Sequence, residues 1–576
     1  MPIVANGDSF YLNNVPTFGY NPHGIEDNTY LGPSLIWRHG TNQQTTVYNN
    51  LSERTTVHWH GAHIPAKDDG GPHQPIEAFG QWNIDFDILD AVTTLWYHPH
   101  LEDSTYIQVE KGLSGIIIIR DAADTLIQHL PHTYGVDDIP VIFQDHQFDL
   151  DTAAGTFSIN TGKNSGATMI VNGVVFPYLD VGPQMVRFRC LDGSSRQNYN
   201  IEIVDDQGNP MTFWMTGSDA GYLPDSARAT TSFGTGPGIR NEIVIDFTGH
   251  AGETFYMRNA INALKTDWGV MVANKYGSTP GASLDTNMME IRVGQTPLGS
   301  NPVLTPPPST FPTYVMSQLG NVTRTRDKEL QGQSPNISGS QILYSIDGNQ
   351  FELNRINDTI KFDSTERWNV KNESDVAHPF HIHDVHVDVI AVYDDTGNQL
   401  NPIPVEWVGR QDNMIVPAGW QVDFLATFDV FSDTLYMDDT TRTAQNGYMY
   451  HCHILTHEDG YYDPNANLEP HGMMQQFLVW NGITVLTSNP ESVEHMGQIL
   501  FYPNPASDIL YLQGESRRAS EFCMYDLSGK MVRREELIPF NGVKSFDVTN
   551  MTPGMYLVEW QDGSGRSFTE KVVLHR

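Results

Sequence analysis

Short runs of β-branched and aromatic residues, broken by Gly, Asp, Asn and Pro, recur along the chain. TTVYNNL, TTVHWHG and GLSGIIIIRD, between residues 40 and 120, have the length and composition of strands and predict an antiparallel β unit over 1–135. The pattern restarts near residue 138. IPVIFQDHQFD, MIVNGVVFPYLDV, VRFRCLDG, YNIEIVDDQG and NEIVIDF predict a second β unit over 136–295. Residues 296–340 contain PLGSNPVLTPPPSTFP and LQGQSPNISGS, too rich in Pro and Ser for a regular ladder, and read as a linker. A third β unit follows over 341–482, from YSIDGNQFELN to MMQQFLVWNG. Over 498–576, YPNPASDILYL, FCMYDLSGKMV and MTPGMYLVEW alternate apolar residues between tight turns and predict a small β sandwich. The expected fold class is therefore all-β.

Length agrees with several units: at roughly 150 residues per domain, 576 residues exceed what one core can organise. The formal charge is −36, which repels a phosphate backbone and excludes nucleic acid as a partner. No transmembrane segment is expected, because no apolar run of about 18 residues is present. A signal peptide is not visible at the start, MPIVANGDSF. Cys190, Cys452 and Cys523 are too scattered for a disulfide framework, and Cys190, inside VRFRC, reads as a core thiol.

Histidine spacing changes the picture. With 22 histidines in the chain, chance gives about one His-x-His pair. Four are present: His58/His60 in VHWHG, His98/His100 in WYHPH, His381/His383 in HPFHIH and His451/His453 in YHCHILTH. On a strand both members of such a pair point to one face, so each pair is a claw for one metal or two adjacent metals. Cys452 lies between His451 and His453, and by the same parity its sulfur faces the other way, which implies two separate sites. On that face His457 follows, His378 is placed to join through a bend at Pro379, and Met473 or Met474 lies beyond. Two His, one Cys and a weak Met are the donors of a blue-copper site, whereas structural zinc prefers a closed tetrahedron without methionine. An electron reaching the cysteine side can pass through a few bonds to the imidazoles, and several metals there could supply the four electrons that turn dioxygen into water.

HWHG, HPH, HPFHIH and HCHxxxH, in that order over about residues 25–482, resemble the four copper motifs of the multicopper oxidases. DDGGP and HEDG are similar to those of the copper-efflux oxidase, spore-coat laccase and bilirubin oxidase branch. The resemblance implies three cupredoxin-like Greek-key β-barrel domains and four coppers per chain. His378, Cys452, His457 and an axial Met473 would hold the type 1 copper, and His58 with His381 the type 2 copper. His60, His98 and His453 would hold one type 3 copper, and His100, His383 and His451 the other. Asp69 and Glu458 occupy the family's proton-donor positions, and Asp375 is placed to hydrogen-bond a type 1 imidazole. One departure is the insertion GYYDPNANLEP, carrying Tyr461 and Tyr462, between His457-Glu458-Asp459 and the methionines. Met474 is the competing axial ligand, and the insertion reads as a substrate lid or a surface excursion. The remaining His63, His73, His386 and His471 are expected to be solvated or bonded to backbone.

The tail resembles C-terminal sorting domains of the type IX secretion system through Tyr502-Pro503-Asn504-Pro505, Tyr525-Asp526 with Gly529-Lys530, and Gly554-Met555-Tyr556-Leu557. Together the resemblances imply a secreted or cell-surface, laccase-like oxidase. It would take electrons from a small-molecule or metal-ion donor at the solvent edge of His457 and pass them to dioxygen. Phenols and aromatic amines are the expected donors. The alternatives are a metallo-oxidase acting on Cu(I), Fe(II) or Mn(II), a copper nitrite reductase, and a copper-binding scaffold without activity.

Overall fold

Ile116–Ile119 are all buried, and the strand Gly115–Arg120 shows why. Ile117 and Ile119 join Trp37, Trp59, Phe86, Leu95 and Tyr97 in the core of the first unit. Ile116 and Ile118 face the opposite way, with Trp96 of their own sheet, onto Ile142 and Leu191 of the neighbouring unit. A strand covered on both faces has no polar side, hence its unbroken apolar run. The strand Gln81–Asp87, by contrast, buries Ile84 and Phe86 and exposes Asn83 and Asp85 in strict alternation. Gly115–Arg120 pairs parallel with Leu35–Arg38 and antiparallel with Thr93–Tyr97, so this sheet is mixed rather than antiparallel as expected. The parallel pair joins segments far apart in sequence, which local turn signals do not register.

The computed structural model describes residues 15, 17–22, 30–151, 156–161, 168–260, 286–311, 322–332, 344–374, 376–438, 447–458, 472–487 and, with short interruptions, 500–575. In the second unit, Met185–Asp192 runs parallel to Asp138–His146 and antiparallel to Arg240–Asp246. Phe188 and Cys190 point into a core with Ile201, Phe213, Phe233 and Ile243. Arg187 and Arg189 point the other way and are also buried, paired with Glu242 and Asp138. Burial alone would raise the Glu242 carboxyl, yet the two guanidinium groups hold it down to about 2. Arg189 Nη1 also donates to Thr94 Oγ1 at 2.9 Å, tying the first unit to the second.

Two six-stranded sheets enclose the third core, which includes Trp368, Phe380, Phe424, Tyr450 and Phe477. The strand Val322–Gln331 pairs parallel with Ser364–Asn372, so this part of the stretch read as linker is a strand of the third unit. Its inward face carries Arg326 and Lys328, neutralised by Glu366, Asp358 and Asp347, so the sequence shows no apolar alternation to announce a strand. Residues 296–311 hold no strand. The tail forms its own unit, with three- and four-stranded sheets around Leu510, Phe522, Phe546 and Trp560. Among the described residues no helix is long and apolar enough to cross a membrane.

Candidate metal centre

The strands His378–Ile382 and Tyr448–Cys452 lie side by side, with His381 opposite His451 and Phe380 opposite Cys452. Opposed residues share a face and successive residues alternate. His381 and His451 therefore project to one side, while His378, Phe380 and Cys452 project to the other. Pro379 lies within the ladder, opposite Ile415, and its carbonyl accepts from His453 N at 2.7 Å. Strand parity alone brings His378 to the cysteine, without the bend expected at Pro379.

On the cysteine side, Cys452 Sγ lies 3.2 Å from His378 Nδ1 and 3.7 Å from His457 Nδ1, with 3.3 Å between the nitrogens. His457 arrives on the one-turn helix Leu455–Glu458 that follows the strand. Ser374 Oγ is hydrogen-bonded to His378 Nε2 at 2.6 Å, which turns Nδ1 toward the sulfur. Asp375, expected in that role, lies outside the described residues, as do Tyr461, Tyr462, His471 and the rest of 459–471. Burial pushes the Cys452 thiol up and holds His457 well below the usual imidazole range.

The two methionines part company here. Met474 sits opposite His451 in the ladder and packs with Phe351 and Met449. Met473 belongs to the buried cluster of Cys452 and Phe380; its N–H donates to the His457 carbonyl (2.7 Å) and its carbonyl accepts from Cys452 N (3.0 Å). Gly472 makes this return possible, since a Cβ there would lie 1.4 Å from the Glu458 carbonyl oxygen. Backbone cannot rotate away as a side chain can. Gly472→Ala should therefore destabilise the protein by about 1–3 kcal/mol or more and displace Met473. Denaturant unfolding and visible absorption of the copper-loaded variant measure both effects; unchanged stability and colour would refute this account.

On the histidine side, imidazole nitrogens converge in sets. His60 Nδ1 faces His98 Nε2 at 3.4 Å and His453 Nε2 at 3.2 Å. His451 Nε2 faces His100 Nε2 at 3.1 Å and His383 Nε2 at 3.4 Å. His58 Nε2 and His381 Nε2 are buried with no hydrogen-bond partner, in rings whose centroids lie 6.0 Å apart.

Three carboxylate residues arrange these rings, each spanning one histidine of the first unit and one of the third. The Asp69 carbonyl accepts from His58 Nδ1 (2.8 Å) and its Oδ2 from His383 Nδ1 (2.8 Å). The Asp412 carbonyl accepts from His381 Nδ1 (2.7 Å), while its Oδ1 lies 3.1 Å from His60 Nε2. Glu458 lies 3.3 Å from His100 Nδ1 and 3.1 Å from His451 Nδ1. His98 Nδ1 donates to the Pro99 carbonyl at 2.7 Å. For every ring but His100 and His453, whose Nδ1 atoms make no hydrogen bond, the outer nitrogen is thus occupied and the lone pair turned inward. Asp412 is itself gripped by both terminal nitrogens of Arg240, from the second unit. Neither residue is legible in the sequence, because a lone Asp in GRQDNM and an Arg in a strand carry no spacing signal.

Burial and mutual repulsion hold His60, His98, His100, His383 and His453 well below the ordinary imidazole range. Neutral lone pairs aimed at one another across 3.1–3.4 Å repel unless an electrophile lies between them. The buried thiol likewise needs a cation to become thiolate. Imidazole and thiolate donors of this kind fit copper. Of the other histidines, His386 bonds the Gly61 carbonyl, but His63 pairs with Asp90 and His73 with Gln476, so side chains rather than water or backbone hold those two.

Family models described as multicopper oxidase match residues 20–124 and 318–462, and a secretion system C-terminal sorting domain matches 500–575. The multicopper oxidase mco of Staphylococcus haemolyticus is 30% identical over 480 residues, covering 82% of this chain and 86% of its own. The chain belongs to the multicopper oxidase family. Family membership implies copper binding and supports an oxidoreductase. A cell division protein, FtsP of Escherichia coli, is 28% identical over 432 residues, 72% of this chain and 83% of its own. The crystal structure of the McoA multicopper oxidase from the hyperthermophile Aquifex aeolicus superposes with a TM-score of 0.64 at 25% identity, over 78% of this multicopper oxidase and 89% of that chain. The sorting domain is consistent with export by a secretion machinery.

Proposed function

We propose that this multicopper oxidase is a laccase-like enzyme that couples four one-electron oxidations of a phenol or aromatic amine to the reduction of dioxygen to water. The observation that carries this reading is the division at Cys452: its sulfur lies with His378 and His457, while its covalent neighbours His451 and His453 lie in two different histidine sets. His378, Cys452, His457 and axial Met473 would hold type 1 copper, and His58 and His381 type 2. The sets His60, His98, His453 and His100, His383, His451 would hold the type 3 pair, for four coppers per chain. The packing of Met473 with Cys452 supports it over Met474. Bound copper supplies the one-electron couple on the cysteine side and the multi-electron store on the histidine side.

The chain contributes a path and protons. Cys452 joins both histidine sets through its own backbone, a route of a few covalent bonds. Water formation uses one proton per electron, and Asp69 Oδ2 and the Glu458 carboxylate, both buried against the rings, are the groups placed to hold and hand on those protons. Asp69→Asn and Glu458→Gln should each lower kcat on the order of 10²-fold while the blue colour of the cysteine side persists.

A nitrite reductase would not need both three-histidine sets, and a scaffold without activity would not need the complete donor set kept here. A metallo-oxidase acting on Cu(I), Fe(II) or Mn(II) differs from the proposal in donor alone. Oxygen uptake by the copper-loaded protein against phenols, bilirubin and reduced metal ions decides among these. The expected result is uptake with phenols at four electrons per dioxygen. Copper loading without uptake, nitrite turnover without oxygen, or uptake with metal ions only would overturn it. The sorting tail supports a secreted or cell-surface site of action.

A further inference from the structure

His457, expected to present an edge to solvent, is 4% exposed. Instead the Tyr344 ring stacks on the imidazole, with centroids 3.8 Å apart and planes at 23°, and meets His378 edge-on at 5.4 Å. Tyr344 is half-buried: one part of the side chain packs against the third core and the remainder reaches solvent. The backbone makes room for it. At Gly332, whose φ is +140°, a Cβ would lie 2.4 Å from Tyr344 Cδ1.

Resting on the oxidase reading above, we propose that Tyr344 is the positioning residue for the reducing substrate: a π surface over His457 on which an electron-rich aromatic donor stacks. Offset stacking between aromatic rings favours such a donor. In the step served, a phenol loses one electron and its hydroxyl proton and becomes a phenoxyl radical. The proton goes to water, and the electron would leave through His457; copper held by His378, Cys452 and His457 would supply the one-electron acceptor. Tyr344 gains and loses nothing.

The test compares 2,6-dimethoxyphenol with ferrocyanide, a donor with no ring to stack, in copper-loaded wild type, Tyr344→Phe and Tyr344→Leu. Tyr344→Leu should raise KM for the phenol about 10-fold with kcat less affected, leave ferrocyanide within about 2-fold, and keep the blue absorption; Tyr344→Phe should restore the phenol KM. In the copper-free protein, saturation-transfer NMR should detect 1,2-dimethoxybenzene bound to wild type and Tyr344→Phe but not to Tyr344→Leu. Equal losses for both donors would make Tyr344 merely structural, and unchanged KM or unchanged NMR transfer would remove the docking role. Wild type that oxidises ferrocyanide with oxygen uptake but no phenol would overturn this inference and leave an oxidase standing, whereas no uptake with either donor would overturn both.

Discussion

Cys452→Ser should abolish the blue absorption of the copper-loaded protein and cut substrate-driven oxygen uptake by at least about 10³-fold. A serine hydroxyl is a hard, weakly coordinating donor that does not sustain the Cu(I)/Cu(II) couple as a thiolate does. The substitution is otherwise mild: Sγ is buried and accepts one backbone hydrogen bond, from Ile454 N, which an Oγ can also accept. The histidine sets sit on the opposite face of the strand, so copper should be lost from the cysteine side and kept on the histidine side. Visible absorption, metal analysis and oxygen uptake on one sample make the check. Lost colour with intact turnover would show that electrons do not pass through Cys452.

Asp412→Ala should destabilise the protein by about 3 kcal/mol, because it takes from the buried Arg240 guanidinium the carboxylate that grips both its terminal nitrogens and leaves it only Asp219, at 3.4 Å. It also removes the carboxylate beside His60 Nε2, freeing that ring to turn. The expected result is a lower unfolding midpoint and copper missing from the histidine side. Arg240→Met isolates the other partner and should cost a similar amount. Combining Arg240→Met with Asp412→Leu removes this pair and leaves Asp219 to its backbone donors, Arg240 N and Asn413 N, so stability should return in part while copper content stays low. Full copper content in the stable double variant would show that Asp412 serves packing and not orientation.

What could be read beforehand follows from periodicity. The two-residue repeat of a strand made the four His-x-His claws and the opposed Cys452 legible, because a side chain's face depends only on its position along its own strand. Periodicity failed where the pairing was unusual. Val322–Gln331 turns Arg326 and Lys328 inward, and Arg187 and Arg189 are fully buried in VRFRC; only the carboxylates across the sheet make those positions tolerable, and they come from distant segments.

The sequence by itself determined the β architecture, the donor types, their parity and the order of the motifs. Tertiary structure decided which donors meet. His60 joins His98 and His453, although its chain neighbour within the claw is His58. Each stacked pair, His58 with His383 and His60 with His381, joins a residue of the first unit to one of the third, held by Asp69 or Asp412. Tyr344 reaches His457 across 113 positions. The reason is physical: alternation is a property of one strand, whereas distances between strands are set by how separate units pack and by the buried charges that lock them together.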